Sequence, residues 1–164
     1  MRLYVLRHGI AEEISADGDD ASRRLTPRGR RKLRAEAGGM KALGLRFDLI
    51  VTSPFARAAE TAAIVAEALG GPEPRGLPAL EQGVEPPETV RALRTLAAQE
   101  KVLIVGHEPG LSGVVALLLT GSPDGLQLVL KKGGLVALEV HEQGRRRATF
   151  RWMLTPRQLS RMGQ

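Results

Sequence analysis

The chain contains no cysteine, which excludes disulfides, thiolate metal sites and a cysteine nucleophile. Aromatic residues make up only 3% of it, too few for the stacking platforms that hold unpaired bases. The longest apolar runs, such as Val102–Val105 and Val114–Leu119, fall far short of a membrane span. Met1-Arg2-Leu3 runs straight into an apolar strand, without the n- and h-regions of a secretory signal. These absences lead to the expectation of a soluble cytoplasmic protein with no membrane partner. Its 164 residues suit one domain, 1–164, large enough to bury its own core.

Positive charge is plentiful: the formal net charge is +6 and the sequence pI is near 10.5. Much of the excess lies in Arg23-Arg24, Arg28, Arg30-Arg31-Lys32, Arg34 and Arg145–Arg147. The basic positions from 28 to 34 do not keep one helical face. With aromatics so scarce, a solvated arginine-rich surface is the better reading and no nucleic acid is expected. Such a surface attracts anionic protein partners.

Strand and helix signals alternate along the chain. Leu3–Leu6 reads as a strand, followed by a loop, 7–24, whose acidic residues Glu12, Glu13, Asp17, Asp19 and Asp20 lack calcium-loop spacing and read as solvated. Thr26-Pro27 is a hydroxyl N-cap with proline at the first helical position. The helix it starts should reach about Leu43, with Gly44 as its stop, weakened internally by Gly38-Gly39. Asp48–Thr52 reads as a buried strand and Phe55–Leu69 as a helix ended by Gly70-Gly71-Pro72. Leu77–Leu80 is expected as a short strand, 86–99 as a helix, Lys101–Val105 as a strand and Gly110–Leu119 as an apolar helix. Two late strands, Leu135–Val140 and Ala148–Leu154, form a hairpin through Glu142-Gln143-Gly144. The order predicts an α/β fold: a single three-layer α/β/α domain with a mostly parallel mixed sheet and a C-terminal hairpin.

Three segments carry chemistry-bearing side chains to strand ends, where open α/β sheets place their sites. The first is Val5-Leu6-Arg7-His8-Gly9-Ile10, the second Ser53-Pro54-Phe55-Ala56-Arg57-Ala58-Ala59-Glu60-Thr61, and the third Val105-Gly106-His107-Glu108-Pro109. A transferring phosphoryl group spreads negative charge over its oxygens, so it needs an in-line nucleophile and fixed positive donors. His8 is the candidate nucleophile, reacting as neutral imidazole with its pKa pushed down by nearby cations. Arg7 and Arg57 offer paired N–H groups to phosphate oxygens, a geometry lysine lacks. His107 would donate to the transferring group, and the backbone N–H of Glu108, near a helix start, could add a donor. Each segment alone has a plain alternative: packing for a strand-end histidine, a proline helix start, a structural turn. Together and in order they resemble the histidine phosphatase superfamily with its Arg-His-Gly motif, and within it the SixA-like phosphohistidine phosphatases. Leu25-Thr26-Pro27-x-Gly29 and Phe150-Arg151-Trp152-Met153-Leu154-Thr155-Pro156 extend the likeness over nearly the whole chain.

The resemblance implies a phosphoglycerate mutase-like fold, a single histidine phosphatase domain over 1–164, and metal-independent hydrolysis through phospho-His8. It also implies that the other His8 ring nitrogen donates to backbone near the motif glycine. The catalytic set would be His8, Arg7, Arg57 and His107; the phosphate-binding set Arg7, Arg57, His107 and Glu108. No cofactor is expected. Zinc on His8, His107 and Glu108 is disfavoured by the missing His-Glu-x-x-His pattern and by two adjacent arginines. His141 matches no motif and reads as a surface or turn residue.

The substrate depends on a general acid. Ester-cleaving relatives often carry Leu-x-Glu followed by Gly-x-x-Glu-Gly, which Leu80-Glu81-Gln82-Gly83-Val84-Glu85-Pro86 matches only loosely. Glu81 is the best candidate acid, with Glu108 or Glu13 as others, while Glu81 and Glu85 equally suit surface or capping roles. A phosphoramidate needs the acid less, because imidazole is a far better leaving group than an alkoxide. The stretch between the flanking helices is short, leaving little room for a capping insertion. A phosphohistidine-containing protein, such as a phosphotransfer domain in signal transduction, is therefore the expected substrate and partner. The alternatives are a small-molecule phosphomonoesterase on the same scaffold and a non-catalytic phosphate- or nucleic-acid-binding module.

Overall fold

A computed structural model describes residues 1–141 and 147–164; the expected Glu142-Gln143-Gly144 turn lies outside the described residues. Strand β1 (Arg2–Arg7) runs parallel to β4 (Lys101–Gly106), which pairs in parallel with β2 (Leu49–Thr52), and β2 with β3 (Arg75–Gly76). On its other side β1 meets β5 (Leu135–Val140) antiparallel, and β5 pairs with β6 (Ala148–Leu154). The order is β3-β2-β4-β1-β5-β6: a mostly parallel mixed sheet ending in a hairpin.

Both faces are covered because the inner strands are apolar at successive positions between their ends. Leu3, Val5, Val102 and Ile104 point into one layer, packed by α3 (Pro86–Arg94) and α4 (Gly110–Thr120). Tyr4, Leu6, Leu103 and Val105 point into the other, beneath α1 (Pro27–Ala42), α2 (Ala56–Leu69) and α5 (Pro156–Met162). Burying each such aliphatic side chain contributes roughly 1.5–3 kcal/mol, which is why sheet and helices form together.

Two glycines set how close α1 comes to its neighbours. A Cβ on Gly29 would lie 2.1 Å from the Ile10 carbonyl oxygen, in the loop that follows His8. One on Gly39 would lie 1.9 Å from the Leu159 carbonyl oxygen of α5. Gly39 weakens the helix locally but lets α5 dock, and α1 runs through it unbroken to Ala42.

Two expectations are corrected, and one further element is found. Residues 77–80 form no strand: Leu77 N–H donates to the Thr52 carbonyl, and Pro78, with no N–H for a ladder, opens a 3-10 turn to Leu80. Helix α3 stops at Arg94 rather than 99, where the Thr95 hydroxyl takes the Ala92 carbonyl at 2.7 Å. Helix α5 is an element that the apolar periodicity did not reveal. Its start repeats the Thr-Pro signal of α1, with Thr155 and Gln158 in a capping box.

Glu36, on the inward face of α1, is only 2% exposed. Its carboxylate lies where a Cβ on Gly133 would stand, 2.2 Å from Oε2, and Gly133 also has φ +81°. Burial pushes its pKa up to about 7, partly offset by Lys32. The folded state therefore binds the proton more tightly than the unfolded chain, whose value is 4.5. Stability falls as pH rises through that window. Glu36→Gln should raise the unfolding midpoint near pH 8 and change it little near pH 4, as denaturant titrations at both values would show.

Candidate active site

Strand register brings the motif residues together. Arg7 and Gly106 are paired residues of neighbouring parallel strands, so His8 and His107 leave the sheet side by side. The His8 N–H donates to the Gly106 carbonyl at 3.1 Å, and the Ser53 N–H, one residue past β2, to the Val105 carbonyl at 2.9 Å. The two imidazole centroids lie 5.1 Å apart, and Phe55 stands 5.2 Å from His107. His8, His107, Arg57 and Ser53 are all buried.

His8 Nδ1 sits 2.7 Å from the Gly9 carbonyl oxygen. A carbonyl only accepts, so Nδ1 carries the proton and Nε2 presents its lone pair. Burial lowers the His8 pKa to about 3; the Gly9 bond opposes this, while His107, Arg57 and Arg7 reinforce it. The imidazole thus stays neutral, with a free lone pair on Nε2, well below its ordinary value of 6.5. If His8 attacks, kcat/KM should show no acid limb near pH 6.5; the loss should come below about pH 4, after correction for substrate ionisation.

The second motif builds the surroundings. Ser53 Oγ accepts from the Phe55 N–H at 3.2 Å and pairs with His107 Nε2 at 2.8 Å. His107 Nδ1 and Arg7 Nε are buried and have no hydrogen-bond partner among the described residues. Arg7 is anchored by Nη1 donating to the Leu130 carbonyl at 2.9 Å. Burial, then Arg57, lowers the His107 pKa to about 4, with Asp20 opposing. Thr61 accepts from the Gly9 N–H at 3.0 Å and donates to the Arg57 carbonyl at 2.7 Å, tying the first motif to α2. Glu60 pairs with Arg24 and Arg30 and accepts the Leu25 N–H, fastening the loop before α1.

Arg57 is 1% exposed and its guanidinium lies 5.3 Å from the Phe55 ring centroid. Nη1 donates to the Asp20 carbonyl at 2.7 Å, and Nη2 to Asp20 Oδ2 at 2.9 Å and Gln82 Oε1 at 2.7 Å. Neither Asp20 nor Gln82 stood out in the sequence. The acidic loop reads as solvated; Asp20 is exposed, as that reading expects, and also pairs with the buried Arg57. The Asp-x-x-Arg spacing that lets Asp20 also accept from Arg23 at 2.7 Å was the available signal.

The carboxylates divide. Glu108 Oε1 accepts the Ser112 N–H at 2.9 Å and Oε2 takes the Ser112 hydroxyl, so its side chain caps α4. Its backbone N–H makes no hydrogen bond with the described residues. Glu81 and His107 line one small cavity of about 10 Å³. Glu85 is the exposed residue before α3, and Glu13 is exposed on the loop. His141 is exposed, beside Thr149 at 2.9 Å. Among the described residues no three His, Asp or Glu side chains converge as a metal site, and no helix is long and apolar enough to cross a membrane.

The buried Arg7 N–H and the His107 imidazole beside a neutral His8 suit a phosphoryl oxyanion. Residues 3–82 match the histidine phosphatase superfamily (branch 1). An uncharacterised protein of Picosynechococcus sp. is 36% identical over 144 residues, 84% of each chain. The phosphohistidine phosphatase SixA of Escherichia coli is 26% identical over 159 residues, 95% of this chain and 94% of that protein. The structure of the protein histidine phosphatase SixA with tungstate superposes with a TM-score of 0.86 at 27% identity, covering 97% of this chain and 99% of that one. The α-ribazole phosphatase of Shigella flexneri shares the fold, with a TM-score of 0.75 at 19% identity over 95% and 97% of the two chains. The chain belongs to the histidine phosphatase superfamily, as a SixA-like phosphatase.

Proposed function

We propose that this phosphatase hydrolyses phosphohistidine on proteins, with His8 as nucleophile. The observation that carries the reading is His8, its Nδ1 held by the Gly9 carbonyl and its Nε2 left free, beside Arg7 Nε and His107 Nδ1, which have no hydrogen-bond partner among the described residues. Nε2 attacks phosphorus as the substrate P–N bond breaks, its electron pair passing to the leaving imidazole. Water then attacks phospho-His8, the Nε2–P bond breaks, and inorganic phosphate leaves. Arg7, Arg57, His107 and the Glu108 backbone N–H hold the phosphoryl oxygens.

Two features support phosphohistidine over an ester. The Glu108 carboxylate is engaged with Ser112 rather than free to protonate an alkoxide. The likeness to SixA also spans nearly both chains. One observation favours the runner-up, a small-molecule phosphomonoesterase: Glu81 lines the same cavity as His107.

The test is phosphate release from a phosphorylated phosphotransfer domain, run beside an aryl phosphate. Fast release from the protein with a poor ester rate is expected. The opposite preference would overturn the reading and make Glu81 the residue to pursue.

A further inference from the structure

Asp20 belongs to no motif that points to the phosphatase chemistry, yet it makes more contacts to the site's cations than any other acidic side chain described above. Its carbonyl and Oδ2 take the end of the Arg57 guanidinium, and its Oδ1 takes Arg23. Its side chain is 49% exposed, whereas that of Arg57 is 1% exposed. The carboxylate therefore forms the solvent-facing rim over a buried phosphate-binding cation.

Rim position matters because displacement at phosphorus is in line. His8 is buried, at 6% exposure, and Asp20 lies on the exposed side of Arg57, so the leaving group, opposite His8, is assigned to this rim. The Arg23 guanidinium, followed by that of Arg57, holds the Asp20 carboxyl below the usual carboxylate range. A carboxylate only accepts hydrogen bonds, so its remaining lone pairs offer nothing to an alkoxide or a carboxylate-bearing alcohol. It attracts a leaving group bearing a positive or N–H-donating ring.

We infer that Asp20 sets leaving-group specificity, its carboxylate accepting the free ring N–H of the departing imidazole. This rests on the phosphohistidine reading and names the residue that selects for it. The ring keeps its proton on the nitrogen remote from phosphorus. The P–N bond breaks, its electron pair stays on the departing nitrogen, and neutral imidazole leaves without a general acid. Gln82, which accepts from Arg57 alone, is a positioning residue without this selectivity.

The experiment compares N-phosphoimidazole with p-nitrophenyl phosphate for wild type, Asp20→Asn and Gln82→Ala. Asparagine keeps an oxygen for Arg57 and removes the charge. Asp20→Asn should lower kcat/KM for phosphoimidazole by about tenfold to a hundredfold, the worth of a charge-assisted hydrogen bond. The ester rate should hold or rise, while Gln82→Ala should slow both substrates by one common factor. An equal loss on both substrates in Asp20→Asn would reduce Asp20 to an Arg57 support and overturn the inference. No loss on phosphoimidazole would also overturn it. A wild-type preference for the ester instead overturns the phosphohistidine reading, and it is read from wild type alone.

Discussion

His8→Ala should leave a folded protein with no measurable turnover, a loss of at least about 10⁴-fold by analogy with other deleted nucleophiles. The loss is this large because no neighbouring group can replace the nucleophile. His107, 5.1 Å away between ring centroids, has Nε2 engaged by Ser53, and a guanidinium offers N–H donors but no attacking lone pair. The fold should persist, since His8 lies past the end of β1 and its backbone bond to Gly106 does not depend on the side chain. Removing an imidazole held neutral by burial also removes an acid-labile group. The unfolded chain binds its proton near 6.5 and the folded protein only near 3, so wild-type stability drops as pH falls through that window. The variant should lose less. Steady-state assays, acid-quench trapping of labelled phosphoenzyme and denaturation near pH 7 and pH 4 check all three points. Phosphoenzyme trapped on the variant would remove His8 from its assigned role.

Arg57→Lys should cost about a thousandfold in kcat/KM, the scale of a lost arginine in phosphoryl transfer. Lysine keeps the charge, so the substitution separates charge from shape. An ammonium cannot span the Asp20 carbonyl, Asp20 Oδ2 and Gln82 Oε1, which together orient the planar guanidinium. Nor can it stack on Phe55 as a plane. Stability should fall less than activity, because Asp20 is half-exposed and keeps its pairing with Arg23. Arg57→Ala should behave similarly and recover part of its rate when guanidinium is added at sub-denaturing concentration. Near-wild-type activity in Arg57→Lys would show that point charge alone suffices.

Much of the architecture is legible in the residues, for local reasons. Leu135–Val140 and Ala148–Leu154 fall where the structure has them because each is a short run of apolar, β-branched and aromatic residues legible locally. Thr26-Pro27 marks the start of α1 because a hydroxyl cap acts over three residues, Thr26 accepting from Gly29. The same signal at Thr155-Pro156 starts α5, whose seven residues are too few to display a helical period. Residues 77–80 failed as a strand because their apolar side chains are shared by strands and buried turns alike.

Sequence by itself singled out the candidates Arg7, His8, Arg57 and His107, at the last residue of a strand, just past one, or in the first turn of the helix that follows. Strand ends and helix starts are written in neighbouring residues, so short-range patterns suffice. Only the tertiary structure decided how these groups are wired. Gly9 to Thr61 spans 52 positions, Ser53 to His107 spans 54, and Arg57 reaches 37 back to Asp20 and 25 forward to Gln82. Those pairings follow from sheet order and parallel register. Asp20 and Gln82 sit on loops with no period to betray which way they face. Their partners are chosen by the packing of the whole sheet and its helices, which no local stretch of chain encodes.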